Sequence, residues 1–341
     1  MTIPVLICDD SGFARRQMAR SIPDGWDVEI SFAENGAEAI SMIKAGKGDV
    51  LFLDLNMPVM DGYETMEVIR KQDLPCLVIV VSGDVQPEAR TRMKNMGALE
   101  FIRKPIDNTK LTTILAAYGI YNGDSEASHR VEEANKLKTH TLEDQLDAYR
   151  EMVNVAMGQA GESLAQLLGT FIDLPIPNVN LLASNELSMA IAEINHNECV
   201  SAVSKGFVGS GIRGEALVIF NDTNTQSMVE LLGYDAHDSI GSLDLEALMD
   251  VSNILIGACL NGLAEQLNVS FNQTHPVLLG RHQGLDTLLS DNVKKWGQIM
   301  AVEIGYAIKA KGIAFDLLLL FPDDAMKQIY SRLMQESREI A

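Results

Sequence analysis

Cysteine is scarce: Cys8, Cys76, Cys199 and Cys259 are scattered, and no pair has metal-binding or redox spacing. Buried thiols in a reducing compartment are the expectation for all four. The six histidines are equally dispersed, so no zinc site is foreseen. Basic residues are few as well, with 27 Lys and Arg against 47 Asp and Glu, a formal net charge of −20. Such a chain repels a nucleic-acid duplex instead of neutralising it, which excludes that partner class and suits a partner with basic patches. No apolar run approaches the roughly 20 residues of a membrane span. The first residues show neither a charged n-region nor a small-residue cleavage site, so a cytoplasmic location and no membrane partner are expected. Gly206, Gly209, Gly211 and Gly214 lack the following helix and Lys-Ser/Thr pair of a phosphate-cradling loop, and read as a hairpin turn.

What is present begins with an alternation. Apolar runs at Pro4–Cys8, Val28–Phe32, Val50–Leu53, Cys76–Val81 and Leu99–Ile102 are separated by helical patterns such as Gly12–Ile22 and Gly62–Lys71. Five such units over residues 1–118 predict an α/β domain, a flavodoxin-like, doubly wound, five-stranded parallel sheet. Residues 119–140 are polar, almost without apolar periodicity, and read as a linker.

Asp9 and Asp10 follow the first run, and Asp54 follows the third. Neighbouring parallel strands bring their carboxyl ends together, so these acids should share one crevice. Carboxylates so close repel unless a hard cation screens them, and Mg2+ takes such oxygen ligands. Ser82 ends the fourth run and Lys104 follows the fifth, adding a hydroxyl and a cation at the same edge. Acids, metal, hydroxyl and lysine together suit phosphoryl transfer by positioning and charge neutralisation.

The segments CDDSGFARR, DLNMPVMDG, VVSG and GALEFIRKP, in this order and spacing, closely resemble the receiver domains of response regulators. The resemblance implies that Asp54 is the phosphoacceptor, taking its phosphoryl group from a histidine kinase in a reaction the receiver itself catalyses, as it does the loss of that group. It further implies that Asp9, Asp10, Asp54 and the Asn56 carbonyl hold Mg2+. Ser82 and Lys104 would bind phosphoryl oxygens, with Phe101 at the aromatic switch position.

From residue 141 to 341 the pattern changes. Helical stretches 142–172 and 243–268 are each followed by β-rich segments, Cys199–Phe207 and Glu215–Asn221 in the first case, Gln298–Ile308 and Ile313–Phe321 in the second. Shifting the chain by 99 residues superimposes Leu146 on Leu245, Asn154 on Asn253, Gly158 on Gly257 and Pro177 on Pro276. A duplicated, pseudo-two-fold α+β domain is expected, with repeats at about 141–235 and 240–341.

Asp147, Glu151 and Asn154 stand at i, i+4 and i+7, so they share a helix face; Glu246, Asp250 and Asn253 repeat the spacing. An amide offers a donor and an acceptor that suit it to hold a water in line with a phosphorus atom, and a nearby carboxylate suits a lysine beside that phosphate. One stripe alone is better read as a solvated face with locally bonded asparagines; finding it twice makes coincidence a weaker account. Gly158 and Gly257, four residues beyond each Asn, suggest close helix packing.

Here the chain resembles the CheC/CheX/FliY family of aspartyl-phosphate phosphatases, whose motif is Asp or Ser, three residues, Glu, two residues, Asn, then a proline about 21 residues on. Asp147, Glu151 and Asn154 match, with Pro177 close to the expected place; the second copy departs, with Glu246 at the Asp/Ser position and the shorter Asp250 at the Glu position. The resemblance implies that Glu151 and Asn154, with Asp250 and Asn253 as a second set supported by Asp147 and Glu246, hydrolyse phosphoryl-aspartate without a metal in this domain. The substrate would be a CheY-like receiver, a second copy of this chain in a homodimer, or the attached receiver. The competing expectation is a binding module whose phosphatase site has decayed, and which docks on a signalling or flagellar-motor partner under control of Asp54.

Overall fold

The first apolar run forms β1 (Ile3–Cys8), and the next four form β2 (Val28–Ala33), β3 (Val50–Leu53), β4 (Leu77–Ser82) and β5 (Glu100–Arg103). In the computed structural model these pair in the order β2-β1-β3-β4-β5, all parallel. Alternate residues serve opposite faces, as the two-residue period of a strand requires. Leu6, Leu51, Leu53, Val78 and Val80 enter one core, while Val5, Ile7, Val50, Phe52, Ile79 and Val81 enter the other. A sheet apolar on both sides must be covered on both, and α1 (Gly12–Ser21), α2 (Gly36–Lys44), α3 (Gly62–Lys71), α4 (Pro87–Met96) and α5 (Asn108–Ala117) do so. Local signals set their ends: Ser11 caps α1, Asp61 and Glu64 form a capping box on α3, and Gly97 at φ 104° ends α4.

The structure describes residues 2–121, 141–183, 186–187, 200–221, 225–232, 240–283 and 296–339. Most of the expected linker, 122–140, lies outside them, as does Cys199. The chain divides into two compact units, Met1–Glu151 with Met334–Ala341, and Met152–Leu333. The long helix α6 (Leu142–Leu168) therefore contributes its first segment, Leu142–Glu151, to the first unit and the remainder to the second.

The second unit is built on an antiparallel sheet in the order β10-β7-β8-β12-β11-β6, with the short β9 (Asn272–Gln273) on β7. The strands are β6 (Asn178–Ala183), β7 (Val200–Gly209), β8 (Ile212–Asn221), β10 (Val277–Gln283), β11 (Gln298–Ile308) and β12 (Ile313–Pro322). Exchanging β6, β7 and β8 with β10, β11 and β12 returns the same order reversed, which is the two-fold symmetry of a duplicated fold. Each repeat lends its first strand to the other: β6 pairs with β11, and β10 with β7. The glycine-rich stretch is the β7–β8 hairpin, turning through Ser210 at φ 51° and Gly211 at φ 84°. After α7 (Thr225–Leu231), the helix α8 (Ile240–Leu267) packs on β7 and β8; the final helix α9 is Asp323–Glu339.

Two sequence expectations are corrected here. Within α8, Glu246–Leu267 is long and apolar enough to cross a membrane by length and composition, with mean hydropathy 1.4. Its acids are spaced widely enough to leave an apolar window, yet Leu248, Val251, Leu255, Ile256 and Leu260 are buried, as in a core helix. The close approach between α6 and α8 is at Gly262, where a Cβ would stand 2.8 Å from Ala156 Cα, whereas a Cβ on Gly257 would meet nothing within 4 Å. Gln159 Nε2 donates to Glu265 Oε2 at 3.0 Å, and Gln266 Nε2 to the Met152 carbonyl at 2.9 Å, on the same pair of helices.

Candidate phosphoryl-transfer site

Strand register assembles the acids. Cys8 of β1 lies opposite Leu53 of β3, so the next residues, Asp9 and Asp54, leave the sheet side by side, and the Asp54 N–H donates to the Cys8 carbonyl at 2.9 Å. On the other side, Ser82 lies opposite Arg103, and the Lys104 N–H donates to the Ser82 carbonyl at 3.0 Å. Gly62 lets α3 start against this edge, since a Cβ there would collide with the Asp54 carbonyl oxygen.

Oxygens of Asp9, Asp10 and Asp54 all lie within 4.8 Å of one another. Lys104 Nζ donates to Asp9 Oδ2 at 2.7 Å and stands 3.5 Å from Asp54 Oδ1. Burial pushes Asp54 well above the usual carboxylate range although the Lys104 charge opposes it, and burial with the Asp9 charge pushes Asp10 up to about 6. Burial works against the Lys104 charge too, but Asp54, Asp9 and Glu151 more than offset it and hold its pKa well above the ordinary value. Both carboxylate oxygens of Asp54 are buried without a hydrogen-bond partner. Buried, unsatisfied oxygens crowded with two further acids fit a hard divalent cation, and Asp9, Asp10 and Asp54 are the side chains that would hold it. When bound, such a cation neutralises charge on transferring phosphoryl oxygens. Asn56 is half-buried next along from Leu55, so its carbonyl belongs to the same loop. Ser82 is buried with its hydroxyl accepting from the Asp84 N–H at 3.2 Å, and Phe101 on β5 is packed into the core.

Residues 5–116 match the response regulator receiver domain family. The N-terminal segment is a receiver domain. Among curated proteins, it is similar to the protein-glutamate methylesterase/protein-glutamine glutaminases of Bacillus licheniformis, 37% identical over 106 residues, and of Geobacillus kaustophilus, 39% over 107. Each alignment covers 30% of this chain, and 29% and 30% of those proteins, so the shared part is the receiver alone. Among solved structures, FliY of Thermotoga maritima aligns over 58% of this chain and all of that one, at 17% identity and a TM-score of 0.43. At that identity and score the likeness says nothing of function.

The α6 residues of the first unit reach the receiver pocket. Asp147 Oδ2 accepts from the Phe13 N–H at 2.7 Å, at the open N-terminus of α1, where a carboxylate is favoured. Asp144 lies 3.7 Å from Arg16, and Glu151 lies 3.0 Å from Lys104 Nζ while only 5% exposed. Burial pushes the Glu151 carboxyl upward, and the Lys104 charge draws it back. Lys104 thus meets three carboxylates, those of Asp9, Asp54 and Glu151.

In the second unit, Asn154 is 7% exposed, and its Oδ1 is buried without a hydrogen-bond partner. The second set differs. Glu246 and Asp250 are exposed, and Asn253 Oδ1 accepts from Lys205 Nζ at 3.2 Å. Sequence reasoning missed Lys205; its one signal is a lysine directly after the buried run Ser201–Ser204 and two residues before buried Phe207 on β7.

Proposed function

We propose that this chain is a cytoplasmic two-component response regulator whose receiver is phosphorylated on Asp54 by a histidine kinase, and whose C-terminal part is a CheC-like protein-aspartyl-phosphate phosphatase in a chemotaxis-type signalling system. The observation that carries the reading is the Lys104–Glu151 ion pair at 3.0 Å. It joins the phosphoryl-binding lysine of a receiver to the glutamate of the α6 motif. A carboxylate 5% exposed is costly to bury unless it is paired, so this contact is specific and not incidental. Asn154 lies three residues further along the same helix, with an amide oxygen still lacking a partner. In this reading Glu151 engages the lysine, and Asn154 orients a water in line with the phosphorus, an entropic and geometric contribution that needs no metal in the phosphatase part. The receiver's own cation site, Asp9, Asp10, Asp54 and the Asn56 carbonyl, serves the charge.

The rival reading, a phosphorylation-controlled binding module, is favoured only at the second set, where Lys205 already holds the Asn253 amide oxygen. The test is to phosphorylate a separate CheY-like receiver and follow its dephosphorylation with this chain and with an Asn154→Ala plus Asn253→Ala double variant. Acceleration by the wild type and not by the variant supports the phosphatase; absence of Asn154-dependent loss of phosphate from both that receiver and the chain's own Asp54 sinks it.

A further inference from the structure

Resting on the phosphatase reading, we infer that the chain's own Asp54 is a substrate of its own α6: the protein is a self-resetting switch in which the phosphate placed on Asp54 is removed within the same molecule.

The inference comes from how the start of α6 fits the first unit. Asp144, Asp147 and Glu151 lie on successive turns of one helix, and each meets a different complementary group of the receiver. Those groups are Arg16 at 3.7 Å, the Phe13 N–H at 2.7 Å and Lys104 Nζ at 3.0 Å. A solvated helix face has no reason to match a guanidinium, a helix N-terminus and a buried ammonium in register. Removing Glu151 from water next to Asp9 and Asp54 is unfavourable except where a lysine serves all three, and Lys104 does so. The same lysine is the one a phosphoryl group on Asp54 would require, so α6 reads the phosphorylation site itself.

The reaction is hydrolysis. A water oxygen forms a bond to phosphorus as the bond from phosphorus to the Asp54 carboxylate oxygen breaks. The carboxylate of Asp54 is regenerated, and both water hydrogens leave with the phosphate. No oxidant, reductant or further reactant is required. Tethering makes the encounter intramolecular, with an effective concentration on the order of millimolar, so a second molecule at micromolar concentration should contribute little.

The test uses the full chain with Mg2+, phosphorylated by acetyl phosphate carrying a radioactive phosphoryl group, then freed of donor. The inference expects first-order loss of label with a half-life unchanged over a hundredfold dilution of the wild type, a measurement that needs no substitution. It expects Asn154→Ala to lengthen that half-life about tenfold or more, and a tenfold excess of unlabelled, unphosphorylated wild-type chain to leave the labelled variant's half-life unchanged. Loss that accelerates with concentration, or rescue of the variant by added wild type, overturns the intramolecular claim while keeping the phosphatase. An Asn154→Ala half-life equal to wild type, with a separate CheY-like receiver still cleared by the wild type, also overturns this inference alone. If neither Asp54 nor the separate receiver is cleared in an Asn154-dependent way, the inference and the phosphatase reading fall together.

Discussion

Lys205 Nζ donates a hydrogen bond of 3.2 Å to Asn253 Oδ1, so the amide oxygen of the second motif is engaged by its own domain, whereas that of Asn154 has no partner. The two copies of one motif are therefore chemically unequal. Asn154→Ala should lower phosphatase activity on a phosphorylated receiver about tenfold or more, the scale of a lost positioning group. Asn253→Ala should lower it less than twofold. Initial rates of phosphate release from the two single variants check this, and equal losses would contradict it.

Mg2+ should stabilise the receiver, because Asp9, Asp10 and Asp54 converge within 4.8 Å and the Asp54 oxygens lack hydrogen-bond partners. At a hundredfold excess over its dissociation constant, the cation adds about 2.7 kcal/mol to folding. Thermal melts with Mg2+ against a chelator should show this shift in wild type. Asp10→Asn should abolish most of it, and a shift unaltered in that variant would place the cation elsewhere.

Gly262 accommodates the crossing of α6 and α8, since a Cβ there would meet Ala156 Cα at 2.8 Å and Gln159 Oε1 at 2.6 Å. Gly262→Val should therefore destabilise the second unit by about 1–3 kcal/mol through overpacking. Gly257→Ala, on an open face, should be neutral or slightly stabilising, as expected for glycine in a helix interior. Urea unfolding of both variants separates the two effects.

Asp316 on β12 lies opposite Gly305, diagonal to Glu303, and burial with the Glu303 charge pushes its pKa up from 3.8 to about 6. A carboxyl raised on folding contributes stability that is fully present below about pH 4 and is lost as pH rises through about 6. Asp316→Asn should then be neutral near pH 4 and should stabilise by about 1–2 kcal/mol at pH 8, a figure reduced for the side chain's partial exposure. Denaturant midpoints of both proteins at the two pH values decide it; a variant less stable at pH 8 would contradict the sign.

The receiver was legible because its signals are local. Val50–Leu53 is an apolar run buried on both faces, and Asp9, Asp54, Ser82 and Lys104 each follow or end a strand whose register could be anticipated. The antiparallel sheet was legible in its long strands, with Gln298–Ile308 read to the residue. Its outer strands β6 and β10 were not foreseen. Their sequences, such as NVNLLA, are short and weakly patterned, and they become strands only by pairing with the opposite repeat, far away along the chain. Glycine spacing pointed to Gly257, but which glycine faces the neighbouring helix depends on the crossing, and that fell to Gly262. The Lys205–Asn253 bond depends likewise on a strand meeting a helix 48 residues distant.

The most direct test of the account is the fraction of Asp54 phosphorylated at steady state. Wild type and Asn154→Ala full-length chains are supplied with acetyl phosphate and Mg2+, and the phosphorylated fraction is read from a phosphate-affinity gel. An Asn154-dependent phosphatase acting on a receiver aspartate predicts low occupancy in the wild type and near-complete occupancy in the variant. Equal occupancy in the two proteins, both folded and both phosphorylated only on Asp54, would contradict it.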